Sequence, residues 1–250
     1  MDLTSRRAEY DTQGFLLVRS FLSPEEFQSL RSELDRYIQT VVPTLPDGDA
    51  FYDDKSRPET LKQLQRIEQD PFFAAYREHP VWRQAAETLL GEPARCQGIE
   101  WFNKPPGTVH ITPPHQDNYY FCLRPAQVLT MWLALDVVDE ENGCLRYLPG
   151  SHLFPHRPHQ RTKTLGFSQG ISDYGVEDYA REVAIPMQPG DVVIHHGDTV
   201  HRADANRSPV RNRRSIALVF RGESCRRDET AFSRYSAAAK AQHTELGLKT

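Results

Sequence analysis

The segment Pro113-Pro114-His115-Gln116-Asp117 places an imidazole and a carboxylate two residues apart, behind a pair of prolines. Proline disfavours helix in the residue ahead of it, and in extended chain residues i and i+2 project to the same side. His115 and Asp117 can then face one ion together. Two imidazoles and one carboxylate on one face of a metal leave other positions open. That set suits Fe(II) that must take both a co-substrate and oxygen. The second histidine must come from elsewhere, and the run His195-His196-Gly197-Asp198-Thr199-Val200-His201 offers the candidates. The step from His196 to His201 is not the helical spacing of a zinc-protease site. Two plainer readings stand beside this one: H-x-D as a hydrogen-bonded surface pair, and His195 and His196 as core or pocket-wall residues.

These side chains need a scaffold, and the pattern around them is mostly β. Gln127–Asp136 is a near-continuous apolar run, and Asn142-Gly143 is a tight-turn signal leading into Cys144–Leu148. Pro189-Gly190-Asp191 marks another turn before Val192–Ile194, and Ser215–Phe220 reads as a last strand. Short strands separated by turns predict a two-sheet jelly roll or barrel, mainly β with flanking helices. Before this, Gly14–Val18 reads as a strand and Ser23-Pro24-Glu25-Glu26 as a capped helix start. Phe27, Leu30, Leu34 and Ile38 then make one apolar helix face ending near Thr40. Residues 43–58 read as loop. A second helix is expected from about Pro71 to Leu90, with Phe72, Tyr76, Trp82, Ala86 and Leu89 inward and Gly91 as its stop. We read residues 1–250 as one domain: a mostly helical N-terminal segment (residues 1–93), a jelly-roll core (about 94–222) and a polar tail (223–250).

Composition narrows the function. A net charge of −4 and a pI near 6.2 give no global field for nucleic acid. No apolar stretch is long enough to span a bilayer, and the first residues lack the apolar core of a secretory signal. Cys96, Cys122, Cys144 and Cys225 form no C-x-x-C pair and read as free thiols of a reducing cytoplasm.

Lys104-Pro105-Pro106, His115-Gln116-Asp117, Trp132, Asn142-Gly143-Cys144-Leu145, Leu148-Pro149-Gly150-Ser151-His152, Pro189-Gly190-Asp191, His201, Asn206-Arg207-Ser208 and Arg213-Arg214-Ser215-Ile216 occur in one order. In that order and spacing the chain resembles the phytanoyl-CoA dioxygenase family of Fe(II)/2-oxoglutarate oxygenases. The resemblance covers nearly half the chain, and the strand and S-P-E-E helix of Gly14–Leu34 extend it. It implies a double-stranded β-helix, a cupin-like jelly roll, with iron held by His115, Asp117 and His201. It also implies an arginine at the start of the last strand for the far carboxylate of 2-oxoglutarate, a dicarboxylate whose second end calls for a planar bidentate donor. Arg213 aligns best, Arg211 shares its face by alternation, and Arg214 faces the other way. Trp132 and Lys104 are further co-substrate candidates, against a core aromatic and a solvated loop charge; Thr130 and Asn118 follow them.

The chain departs from the family pattern two residues after the distal histidine, where a hydroxyl is usual and Ala203 stands. A lost hydrogen bond to a charged group costs about 1.5–3 kcal/mol unless another donor replaces it. With Asp117 present, hydroxylation with release of succinate and CO₂ is the expected reaction, since related halogenases lack that carboxylate. A small organic molecule is the expected partner, with neither nucleic acid nor membrane. Residues 153–179, with His156 and His159, read as a lid, and Tyr119, Tyr120 and Phe121 as an aromatic wall. Nothing in the sequence selects an acyl thioester, an amino acid, a phosphonate or a natural-product intermediate. A cupin-like metalloenzyme without 2-oxoglutarate and a non-catalytic metal-containing binding module are the alternatives.

Overall fold

A computed structural model describes residues 3–46, 48–162 and 169–245. Two antiparallel sheets face one another. The larger runs, in spatial order, Phe15–Val18, Val192–His196, Val128–Ala134, Arg213–Gly222, Ala94–Lys104, Leu61–Leu64 and Ala50–Tyr52. The smaller runs Val183–Ile185, Leu145–Tyr147, His201–Ala203 and Thr112–His115. This is the expected jelly roll.

The central strand Val128–Ala134 of the large sheet is buried on both sides, which is why it reads as an unbroken apolar run. Outward, Ile99, Trp101, Leu129, Met131, Leu133, Ile194, Ile216, Leu218 and Phe220 join one large core with the helices. Inward, Trp132, Ala134, Val193 and Ala217 meet Leu145, Tyr147, Ile185 and Ala203 of the small sheet. Strand alternation sorts one sequence into these two environments.

The helix Pro24–Thr40 starts on a capping box between Ser23 and Glu26 and buries Leu30, Leu34 and Tyr37. The single helix expected from Pro71 to Leu90 is two, Pro71–Tyr76 and Pro80–Leu90. Pro80 has no N–H to continue the first, and it holds His79 in extended geometry (ψ 129°), where the His79 side chain caps the second. Gly91, at φ 75°, closes that second helix as expected. The segment before residue 94 is less helical than its pattern suggests, because Phe15–Val18, Ala50–Tyr52 and Leu61–Leu64 all extend the large sheet. Ala50–Tyr52 falls inside the expected loop 43–58. The tail carries the helix Glu229–Glu245. Among the described residues no helix is long and apolar enough to cross a membrane, and all four cysteines are free thiols.

Two glycines matter for the site. Gly14 (φ 79°) ends the helix Arg7–Gln13 so close to His152 and Thr199 that a Cβ would sit 2.4 and 2.5 Å from their side-chain atoms. Gly143 (φ 83°) lies against Asp204, whose carbonyl oxygen would be 2.4 Å from a Cβ. Both brace the strand that carries His201.

Candidate metal centre and co-substrate pocket

His115 ends the strand Thr112–His115 and pairs directly with His201 of the neighbouring strand, their rings 4.1 Å apart. Asp117 is not on that extended strand, as the H-x-D spacing predicts, but opens the short helix Asp117–Phe121. The turn is fixed locally. Asn118 N–H donates to the Gly197 carbonyl at 2.8 Å, and its side chain bonds both the backbone N–H and carbonyl of Leu123. The convergence still occurs, because one turn of helix tips the carboxylate back between the two rings. Asp117 Oδ1 lies 3.4 Å from His115 Nε2 and 3.6 Å from His201 Nε2. Among the described residues this is the one group of three donor atoms gathered within 4.8 Å.

The unused atoms of each candidate ligand are already occupied. His115 Nδ1 is bonded to the Pro113 carbonyl at 2.8 Å and His201 Nδ1 to the Thr199 carbonyl at 3.0 Å. Each ring therefore presents Nε2 inward with its tautomer set. Thr130 Oγ1 donates to Asp117 Oδ2 at 2.7 Å, and His195 Nε2 donates to the same oxygen at 3.0 Å. Tyr147 O–H in turn meets His195 Nδ1 at 2.9 Å. The carboxylate is pinned by one oxygen and offers the other. Burial raises the Asp117 carboxyl, but the His201, His115 and His195 rings outweigh it and hold the group well below the usual carboxylate range. Two imidazole nitrogens and one carboxylate oxygen fit a divalent iron with positions left over.

The Tyr147–His195–Asp117–Thr130 chain is not legible in sequence, where His195 reads as a core or wall residue and Thr130 as a minor co-substrate candidate. Their meeting depends on the register that sets Thr130 opposite His195 across two strands.

From the triad a cavity of roughly 390 Å³ runs over the inner face of the large sheet. Arg213 sits at its far side, 4% exposed, opposite Lys104. Its guanidinium stacks 5.2 Å over Trp132, and Nε is buried with no hydrogen-bond partner among the described residues. Burial pushes this group down to about 10. Ser215, two residues on and on the same face, is wholly buried with an Oγ equally unpartnered among them. A buried cation and a buried hydroxyl left unsatisfied together call for an anion with several acceptor oxygens.

Arg211 does not line this cavity. It is bonded to Asp139 and Glu141 outside the cavity. Arg214 faces the other way, as alternation requires, but it is half-buried against Asp136 rather than free in solvent. Lys104 is not a loop charge either. It is buried, and its Nζ donates to the Asp204 carbonyl at 2.5 Å and the Ala203 carbonyl at 3.3 Å. The ammonium thereby ties the Arg213 strand's neighbour to the His201 strand.

Tyr120 and Phe121 line the cavity, whereas Tyr119 turns outward, stacking on His159 at 3.7 Å. The expected lid is largely built structure, a hairpin of His159–Arg161 with Gln169–Ile171 and the helix Val176–Arg181; residues 163–168 of it lie outside the described residues. Histidines in and just ahead of this segment anchor it to the rest of the fold. His156 bonds Asp198 at 2.6 Å, and His152 bonds the Asp11 carbonyl at 3.0 Å. Gln116, between His115 and Asp117, accepts from Arg157 N–H of the lid and donates to the Asp198 carbonyl. His196 points away, beside Tyr10 and His152, and burial lowers it to about 4.

The family model for phytanoyl-CoA dioxygenase matches residues 10–215. The chain belongs to that family. The peroxisomal phytanoyl-CoA dioxygenase of Bos taurus is 28% identical over 235 residues, covering 88% of this chain and 68% of the relative. A probable alpha-ketoglutarate-dependent hypophosphite dioxygenase of Stutzerimonas stutzeri is 26% identical over 216 residues, covering 83% and 75%. Among solved structures, EvdO2 of Micromonospora carbonacea var. aurantiaca, complexed with 2-oxoglutarate, matches with a TM-score of 0.72 and 27% identity over 91% of this chain and 93% of that one. The epimerase SnoN, solved with Fe3+, alpha ketoglutarate and nogalamycin RO, shares the fold with a TM-score of 0.73 at 23% identity, covering 93% and 88%. The chain is thus a member of a family of iron- and 2-oxoglutarate-dependent dioxygenases.

Proposed function

We propose that this protein hydroxylates a C–H bond of a small organic substrate, with His115, Asp117 and His201 holding Fe(II) and Arg213 holding 2-oxoglutarate. The observation that carries the co-substrate assignment is Arg213, a buried guanidinium on the same cavity as the triad and without a counter-ion among the described residues. Iron with bound 2-oxoglutarate supplies the oxidation: O₂ is consumed, the co-substrate leaves as succinate and CO₂, and one oxygen atom enters the C–H bond.

The chain's own groups do the rest. Arg213 would pair bidentately with the far carboxylate, with the Ser215 hydroxyl as a third donor. That hydroxyl stands in for the one missing at Ala203, which packs in the inner core against apolar neighbours. Trp132 supports the guanidinium from beneath and limits water around it. Thr130 and His195 hold Asp117 by one oxygen so that it takes a single position on the metal, leaving room for the co-substrate and O₂. The domain is read as one unit over residues 1–250, with the outer helices as scaffold and the lid as cover for the substrate.

The test is anaerobic titration of Fe(II)-loaded protein with 2-oxoglutarate. A weak visible charge-transfer band should develop, with its midpoint displaced in Arg213→Ala. Iron binding without a band removes 2-oxoglutarate from the reaction and favours a cupin-like metalloenzyme or a binding module.

A further inference from the structure

The cavity has a third polar station that neither the iron ligands nor the co-substrate cradle uses. Glu100 lies on the inner face of the strand Ala94–Lys104, opposite Ala217, which is itself opposite Trp132. Two steps at the ~4.8 Å spacing of strands put its backbone about 10 Å from that of Trp132, across the cavity floor. Glu100, Asp117 and Trp132 all line the same space. One Glu100 oxygen accepts a hydrogen bond from Gln63 Nε2 at 2.9 Å. No lysine, arginine or histidine among the described residues pairs with this carboxylate. Burial, opposed by the Gln63 bond and reinforced by Asp117 and Glu68, raises its carboxyl to about 7.

Nothing in the packing needs an acid here. The residue facing Glu100 across the strand is Ala217, and its neighbour along the inner face is Phe102. The cavity is divided in its chemistry: Arg213 makes one side cationic, suited to a dicarboxylate, and Glu100 places a carboxyl group on another side. A carboxylate-bearing substrate would meet repulsion at Glu100. A hydroxyl brings a hydrogen bond to Glu100 but no compensating charge. An ammonium group compensates it, and the faces of Phe102, Tyr120 and Phe121 offer further attraction for a cation and its hydrocarbon body.

We infer that Glu100 is the substrate-recognition carboxylate of this cavity, and that the substrate is a small molecule carrying a protonated amine. The inference rests on the oxygenase reading above, since the molecule held at Glu100 is the one oxidised at the triad. It is tested with three probes of equal chain length, n-hexylamine, n-hexanol and hexanoate. Binding is followed by intrinsic fluorescence in metal-free protein, and again anaerobically with Fe(II) and 2-oxoglutarate present. The wild type should bind hexylammonium about tenfold or more tightly than hexanol, equivalent to about 1.4 kcal/mol, and should disfavour hexanoate. The near-isosteric Glu100→Gln should lose that preference while its 2-oxoglutarate band and melting temperature stay as in the wild type. Equal binding of the three probes, no binding of any, or an amine preference that survives in Glu100→Gln overturns the inference. The two readings fail separately. An amine preference without a 2-oxoglutarate band sinks the oxygenase assignment, and a band without an amine preference sinks this one.

Discussion

The two faces of the large sheet are built by the same strands and differ in almost every physical respect. Outward, Leu129, Met131, Leu133, Ile216, Leu218 and Phe220 are packed under helices with hardly a polar atom among them. Inward, Thr130, Trp132, Arg213 and Ser215 alternate with those residues one for one, and two of them carry buried polar atoms with no partner among the described residues. Stability is concentrated on one face and chemistry on the other, and a single-residue step along a strand moves between them. The same step separates Arg213, buried in the cavity with its Nε unpartnered among the described residues, from Arg214, paired with Asp136 on the far side.

Substitutions on the two faces should therefore fail in different ways. Asp117→Ala should abolish conversion of 2-oxoglutarate to succinate while circular dichroism and melting temperature stay near wild type; retained conversion would remove the carboxylate from the metal. Trp82→Ala, under the outer face and fully buried, should cost about 3–5 kcal/mol of stability in denaturant titrations. Its folded fraction should keep wild-type affinity for 2-oxoglutarate, and a large loss of that affinity would blur the division. Arg213→Ala should weaken 2-oxoglutarate about a hundredfold, as the loss of two charge-assisted hydrogen bonds implies. Arg211→Ala, its half-buried counterpart outside the cavity, should leave that affinity unchanged, and the reverse result exchanges their roles. Smallest is Ser215→Ala, with about a tenfold weakening of the co-substrate, one hydrogen bond to a charged group. Adding Ala203→Ser should recover some of it if the two positions serve the same carboxylate; no recovery would separate them.

Much of this is legible in the sequence alone. His115, Asp117 and the late His201 stand where the centre needs them, and turn residues such as Asn142-Gly143 bound the strands clearly. What sequence could not supply is partnership. Both Arg211 and Arg213 sit on the expected face by alternation, and only Asp139 and Glu141, 72 and 70 residues earlier in the chain, take Arg211 out of the cavity. Glu100 carries no signal in the sequence, and His195 reads as a core or pocket-wall residue, because their significance lies in what stands across the sheet. The break at Pro80 is visible as a proline but is overridden by a continuous apolar period on either side, and the short strands Ala50–Tyr52 and Leu61–Leu64 lack any period long enough to register.

The lone guanidinium of Arg213 also bears on how the protein survives between encounters with its co-substrate. A cation withheld from water and without a counter-ion among the described residues raises the free energy of the native fold but not of the unfolded chain, where the same group is hydrated. On the assignment proposed above its partner arrives from solution, so folding and metabolite supply would be thermodynamically linked. At a hundred times its dissociation constant, 2-oxoglutarate would add about 2.7 kcal/mol to the native state. The co-substrate-free protein would be correspondingly easier to unfold and degrade, and its persistence in a cell would follow the local concentration of a central carbon metabolite.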